Sequence, residues 1–374
     1  PAVWGRKGQL WVCVPFPSPL TESHLYGGPM TTEEMTAEQL SGVAGPSKVR
    51  WDYHPELPIE DVPVFVWPPR PLAALKYLVS RAYLLSVVLP FGLLAAITWA
   101  YLQPALTRCV DFEIGWIAQM YIRNLGLFAL FVGGLHLYLY TFKLQGRALK
   151  FNPSELRRDD QRFFAQNQVW DNILWSSASG VTLWTGYEVL FIWAYANGML
   201  PFYLDWREHP VWFVLMLLGI PFWDSFHFYF VHRFLHWKPL YRRVHSVHHR
   251  NESTGPWSGF SMHPVEHLIY LSSVLIHTVL ASHPIHIFFH MQWNAIGAGT
   301  SHSGYESLTF RGKPVIFLSP FHHQLHHRLY NCNYGNSLVP VDKWFGSDHD
   351  GTPAAWVAVR EHQRSRVSAA RSGS

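Results

Sequence analysis

Four long apolar runs constrain this chain more than anything else in it. They lie at about residues 77–102, 115–142, 172–196 and 211–231. Each is close to the roughly 20 residues a helix needs to cross a bilayer core. In hydrocarbon every backbone N–H and C=O must be satisfied within the protein, so such runs read as helices. The competing reading is a set of buried helices in a soluble protein. It is weakened by the charge content, 14% here against about 25% in an average soluble domain. Arg81, Arg123 and Asp224 interrupt the runs, and Arg81 and Asp224 sit close enough to an end to snorkel. A fifth apolar stretch, about 265–298, is broken by Ser282-His283-Pro284. Each half is about 16 residues, or roughly 24 Å as helix. That predicts a short hairpin which enters the membrane and returns to the same face.

Basic residues set the orientation. Arg70 and Lys76 precede the first run; Lys143, Arg147, Lys150, Arg157, Arg158 and Arg162 follow the second; Arg233, Lys238, Arg242, Arg243 and Arg250 follow the fourth. These segments share one side if all four runs span, and that side is the cytosolic one. The expected fold is an all-α membrane protein with about four transmembrane helices, a short re-entrant helical hairpin and a cytosolic cap of histidine-bearing helices. Residues 1–70 read as an irregular, Pro-rich region with a short capped helix at "TTEEMTAEQL". Residues 71–350 read as the membrane domain, with a histidine core at 223–346, and 351–374 as a tail. A net charge of +4 with no basic stripe gives no reason to expect nucleic acid. The three cysteines, Cys13, Cys109 and Cys332, are too far apart for a disulfide framework or a zinc ribbon.

The 23 histidines are the anomaly, and most lie between His209 and His327. His232 and His236 are four apart and share a helix face. His245, His248 and His249 have the spacing H-x-x-H-H, and His323, His326 and His327 repeat it. On a helix, positions i, i+3 and i+4 turn their side chains to one side. Imidazole suits iron, copper, zinc and nickel, and no thiolate competes here. A single tetrahedral ion takes about four ligands. Eight histidines in three groups therefore suit two ions sharing a cage.

In that order and spacing the three groups resemble the histidine boxes of the fatty acid hydroxylase superfamily, which includes sterol C-5 desaturases, sterol C-4 methyl oxidases, fatty acid 2-hydroxylases and alkylglycerol monooxygenases. "MHPVEH" from Met262, "HSGYE" from His302 and "NYGNSLVPVDKWFG" from Asn333 fit as well. The likeness is strong over about 223–346. It implies a membrane di-iron oxygenase that takes O2 and receives electrons from NAD(P)H through a separate carrier, such as cytochrome b5 and its reductase. It also implies His302 as a further ligand. Where the family often has a second histidine one turn later, this chain has Glu306, a candidate ligand or acceptor to one. His227, Asp224 and His263 are further candidates. Asp224, eight residues before His232, could orient a ligating ring, and His263 before Pro264 could simply cap a helix. His286 and His290 are one turn apart, but the helix rise places them away from the boxes. Trp257 and Phe260 are candidates for lining the substrate route.

The sterol branch is the closer likeness, through "HSGYE" and "MHPVEH". The expected reaction is desaturation or hydroxylation of a lipid, a sterol first, and the boxes do not choose between the two outcomes. The alternative is an oxygenase of a fatty acyl, alkyl or sphingolipid chain. A non-catalytic metal-binding membrane protein or transporter is the rival of another class; the first three runs offer it only scattered Arg81, Arg123, His136 and Glu188. The expected location is the endoplasmic reticulum membrane in a eukaryote and the inner membrane in a bacterium.

Overall fold

A computed structural model describes residues 51–359 and 361. The capped helix expected at "TTEEMTAEQL" and most of the tail lie outside the described residues. Three described helices are long and apolar enough to cross a membrane: α1 (Pro71–Leu102), α2 (Ile114–Thr141) and α4 (Pro210–Leu235). The remaining run forms α3, continuous over 168–196 and just as long. It is more polar than the others, so three helices rather than four combine length with apolarity. Its polar groups point inward: Asp171, Asn172, Ser176, Thr185 and Glu188 are all buried. Glu188 accepts from the Arg123 guanidinium, from Asn124 Nδ2 at 2.9 Å and from Trp184 Nε1 at 2.7 Å. The arginine that interrupts the second apolar run is thus the partner of the carboxylate in the third, and the pair ties α2 to α3. A buried charge left without its partner is strongly destabilising, so neither residue is dispensable alone.

The long helices alternate in direction. Asn197 Nδ2 donates to Val110 O at 3.0 Å, which joins the α1–α2 loop to the end of α3. At the opposite end Gln168 Nε2 donates to Asn251 Oδ1 at 2.8 Å, which puts the start of α3 beside the histidine-bearing segment. That segment, α5, winds over 238–249 in three short pieces. The helical hairpin follows. Its first arm, α6, covers 264–278 and its second, α7, covers Pro284–Ser301. The tip reaches the loop before α4, where Ser282 N donates to Pro201 O at 3.3 Å. The hairpin therefore runs the depth of the bundle. Of the 18 residues in α7, 14 are buried, so its surroundings are other helices rather than lipid.

The turn at Pro256–Phe260 presses on the last turns of α7. A Cβ on Gly259 would overlap the Ala298 carbonyl, so glycine is what lets this turn approach. Beyond α7 a two-stranded hairpin, β1 (Ser307–Phe310) and β2 (Lys313–Phe317), packs on α1, with Phe317 N donating to Ser86 Oγ at 2.9 Å. Helix α8 (Phe321–Leu329) carries the last histidines and stops at Tyr330, which is left-handed with φ 63°. Helix α9 (Val341–Trp344) closes the cap.

Candidate metal centre

All nine histidines expected as ligands converge in the cap. They form two clusters whose ligand atoms lie within 4.8 Å of one another: His232, His236, His245, His249 and His326 in one, His248, His302, His323 and His327 in the other. All nine are buried. The partition follows helix geometry. Each i, i+4 pair (232/236, 245/249 and 323/327) stays within one cluster. The i+3 member of each H-x-x-H-H, His248 or His326, crosses to the other. Adjacent residues such as His326 and His327 therefore serve different clusters, and the two clusters adjoin, with the His249 and His327 rings 5.0 Å apart.

The backbone around the cap fixes ring orientation. His232 Nδ1 lies 2.6 Å from Tyr334 O, His326 Nδ1 lies 2.7 Å from Cys332 O and His302 Nδ1 lies 2.9 Å from Ala298 O. A carbonyl only accepts, so each of these Nδ1 atoms carries the proton and each Nε2 is a bare lone pair. Those lone pairs point inward at other rings: His232 Nε2 is 3.0 Å from His245 Nε2, and His302 Nε2 is 3.0 Å from both His323 and His327 Nε2. His245 is held in turn by Glu266, whose Oε1 is 2.7 Å from its Nδ1. Where Glu266 accepts from His245 Nδ1, as it would with a cation between the rings, the two Nε2 atoms are bare lone pairs facing each other. A divalent cation satisfies such an arrangement; water-free protein does not. The donor set is all imidazole and fits a transition metal.

Burial drives the imidazoles toward the neutral, ligating form. It pushes His326 down to about 3 and His248 to about 4. His236, His245, His249, His302, His323 and His327 are held well below the ordinary range by burial first and by neighbouring imidazoles second.

The other candidates fall outside both clusters. Glu306 does not continue a helix from His302, because α7 ends at Ser301 and Gly304 turns the chain with φ +77°. Its carboxylate accepts from Tyr53 Oη at 2.7 Å instead. His227 Nε2 bonds to Ser272 Oγ at 3.0 Å, and His263 Nδ1 accepts from Val265 N at 3.1 Å as the cap of α6. Asp224 orients none of the nine rings; it accepts from Ser273 Oγ at 2.9 Å. Glu266 is the residue sequence reasoning left without a role. Its signal was present, since it is a carboxylate inside an apolar hairpin, where ionisable groups are costly and tend to be functional. Replacing it by alanine is expected to weaken metal retention about 10- to 100-fold, and Glu266→Gln to do so less, because the amide oxygen still accepts from His245. Metal content after dialysis against graded chelator measures both. Equal retention in Glu266→Ala and wild type would remove Glu266 from the site.

A cavity of about 280 Å³ ends on these clusters. His232, His245, His248, His302 and His323 form its inner wall, and Phe228, Leu235, Met262, Trp293 and Leu318 supply apolar walls. Trp257 and Phe260 take no part in it. They lie on the other face of α7, where Phe260 packs against Phe128 at 5.4 Å and His267 at 4.7 Å, and Trp257 against Phe128 at 5.5 Å. The turn that carries them is wedged between α7 and the α2–α3 pair, so both rings are packing residues.

Residues 213–347 match the family model for fatty acid hydroxylase. Similar curated proteins include the Delta(7)-sterol 5(6)-desaturase ERG3B of Gibberella zeae, 28% identical over 169 residues, covering 41% of this chain and 51% of the relative. Methylsterol monooxygenase 1 of Rattus norvegicus is 29% identical over 148 residues, covering 38% and 50%. The very-long-chain aldehyde decarbonylase GL1-11 of Oryza sativa subsp. japonica is 33% identical over 135 residues, covering 34% and 50%. The chain spans about half the length of the curated relatives it matches. No solved structure matches it. Over residues 213–347, the stretch that carries both histidine clusters, the chain is similar to the fatty acid hydroxylase/sterol desaturase superfamily.

Proposed function

We propose that this chain is a membrane-bound di-iron oxygenase that uses O2 and external electrons to desaturate or hydroxylate a lipid, a sterol first. The observation that carries the reading is the apolar cavity closed at its inner end by imidazoles from both clusters. His232, His236, His245, His249 and His326 would hold one iron, and His248, His302, His323 and His327 the other. Bound iron would supply oxygen activation, which no side chain provides. The protein's own contribution is placement. Phe228, Leu235, Met262 and Trp293 hold an apolar substrate and keep water from the inner wall, while Tyr334 O, Cys332 O, Ala298 O and Glu266 keep the rings turned inward. Small shifts in how a carbon is held redirect a reaction, so these walls decide between a double bond and a hydroxyl.

The sterol assignment is supported by the relatives named for sterol chemistry; the decarbonylase supports the long-chain lipid alternative. The box end is the cytosolic face in this reading. Exposed Lys238, Arg242 and Arg243 lie there, and they suit an acidic electron carrier of the cytochrome b5 type. The test is mass spectrometry of lipids from cells expressing the chain beside cells expressing His326→Ala. A sterol that gains a double bond or an oxygen only with the intact chain is the expected result. A modified acyl or alkyl lipid with unchanged sterols would replace the substrate class, and no modified lipid of either kind would overturn the activity.

A further inference from the structure

Five buried groups form an unbroken hydrogen-bonded line through the hairpin, and none of them belongs to either histidine cluster. Ser282 Oγ is 2.6 Å from His277 Nδ1, His277 Nε2 is 3.0 Å from His290 Nδ1, His290 Nε2 is 3.0 Å from Ser273 Oγ, and Ser273 Oγ is 2.9 Å from Asp224 Oδ1. Four of the five are fully buried, and Asp224 is 5% exposed. The line begins at the hairpin tip, where Ser282 adjoins exposed Ala281 at the end of the bundle opposite the boxes. It ends at Asp224, which lines the cavity that His232 and His302 also line.

We propose that this line is a proton relay from the far end of the bundle to the cavity. It rests on the oxygenase reading only for its purpose, since reduction of O2 to water consumes protons as well as electrons. Ionisable groups within a membrane bundle are costly, and proton relays are among the uses that retain them. Both nitrogens of each imidazole are engaged within the line, so each link holds one hydrogen and the whole line has two consistent orientations. In one, Ser282 donates to His277, His277 to His290, His290 to Ser273 and Ser273 to Asp224; in the other, every donor becomes an acceptor and the Ser282 hydroxyl donates instead to Leu280 O, 2.9 Å away.

Transfer moves one proton across each link. Ser282 is itself fully buried, so a local opening of the tip beside exposed Ala281 admits the proton, which Ser282 takes up as it passes its own to His277 Nδ1. His277 releases the proton on Nε2 to His290 Nδ1, and His290 releases the one on Nε2 to Ser273. Ser273 passes its hydroxyl proton to Asp224, whose carboxylate becomes the acid at the cavity wall. One proton enters and one arrives, and no electron moves. The groups that face Asp224 suit it as the terminus. Asn294, with Nδ2 turned toward it, donates to both carboxylate oxygens at 2.7 and 3.0 Å, its Oδ1 then lies 2.9 Å from Ser273 Oγ as a second acceptor for that hydroxyl, and His290 approaches at 3.7 Å. His227 on the same helix is engaged with Ser272, and Tyr270 donates to Asn294 O.

The test uses the iron-loaded full chain in proteoliposomes with the box end sealed inside. A drop in external pH is expected to raise the carboxylic-acid C=O infrared band of Asp224, identified by its loss in Asp224→Asn. His277→Leu is expected to slow that rise about tenfold or more. His290→Gln is the second variant. Its amide keeps hydrogen-bond partners for packing but has no second ring nitrogen to pass a proton through, and the same slowing is expected. Wild-type rates in a His290→Gln protein of normal iron content would overturn the relay, as would a wild-type protein with no Asp224 band. The readout needs no turnover, so failure to modify any lipid would count against the proposed activity alone.

Discussion

If each cluster holds one ion, as proposed, His323→Ala is expected to leave one metal ion per chain in place of two, while His326→Ala keeps its site nearer to full occupancy. The asymmetry comes from the clusters themselves. The cluster containing His326 has five imidazoles and retains four when one is removed. The cluster containing His323 has four and retains three, fewer than the roughly four a closed site uses. The missing fifth member traces to one turn of chain. His302 has no i+4 partner, because α7 ends at Ser301 and Glu306 faces Tyr53 instead. His302 and His323 also form part of the cavity wall, whereas His326 does not. The less crowded cluster is therefore the one that contributes more of its rings to the cavity. Metal per chain after dialysis, measured by mass spectrometry beside protein concentration, decides the matter. A His323→Ala protein with two ions, or a His326→Ala protein that loses more metal than it, would overturn the partition. Lipid product is expected to fall by about a hundredfold or more in both, since either change disturbs a shared centre.

The nine clustered histidines were legible because their spacing is helical and helices preserve it. Which cluster each joins was not, since that depends on how α5 and α8 face each other across the cap. Residues near in sequence misled where the backbone turned. Glu306 stands four residues after His302, one turn along a continuous helix, but the helix ends at Ser301 and Gly304 turns the chain. Trp257 and Phe260 follow the second box closely, yet their turn delivers them to the far side of α7. The bundle itself was readable from apolar runs, with one instructive exception. The polar residues of α3 are explained by partners such as Arg123 and Asn251, which lie on other helices and in loops, and no single run displays that. The cavity was the least legible feature, because its walls come from α1, α4, α5, α6, α7, β2, α8 and the segment before α9.

The metal-free cap is expected to open as pH falls below about 6.5, the ordinary histidine value. Above that pH the imidazoles are neutral in the folded and the open cap alike, and the stability of the folded cap is fully present. Below it an opened cap binds protons that the folded one excludes. Stability therefore falls with pH, and it goes on falling until the folded values are reached, about 4 for His248 and about 3 for His326. Each unit of that interval is worth about 1.4 kcal/mol per histidine. Several histidines shifted in the same direction make the cap acid-sensitive. Bound metal stabilises the folded cap by mass action and is expected to move the transition to lower pH. Hydrogen exchange of the α8 backbone amides, corrected for intrinsic rates and followed from pH 7.5 to 4.5 on chelated and iron-loaded protein, reports the opening directly. Protection that stays level through this window in the chelated protein would mean that the histidines take up protons without opening, and that the cap is not the close-packed cage from which the low values arise.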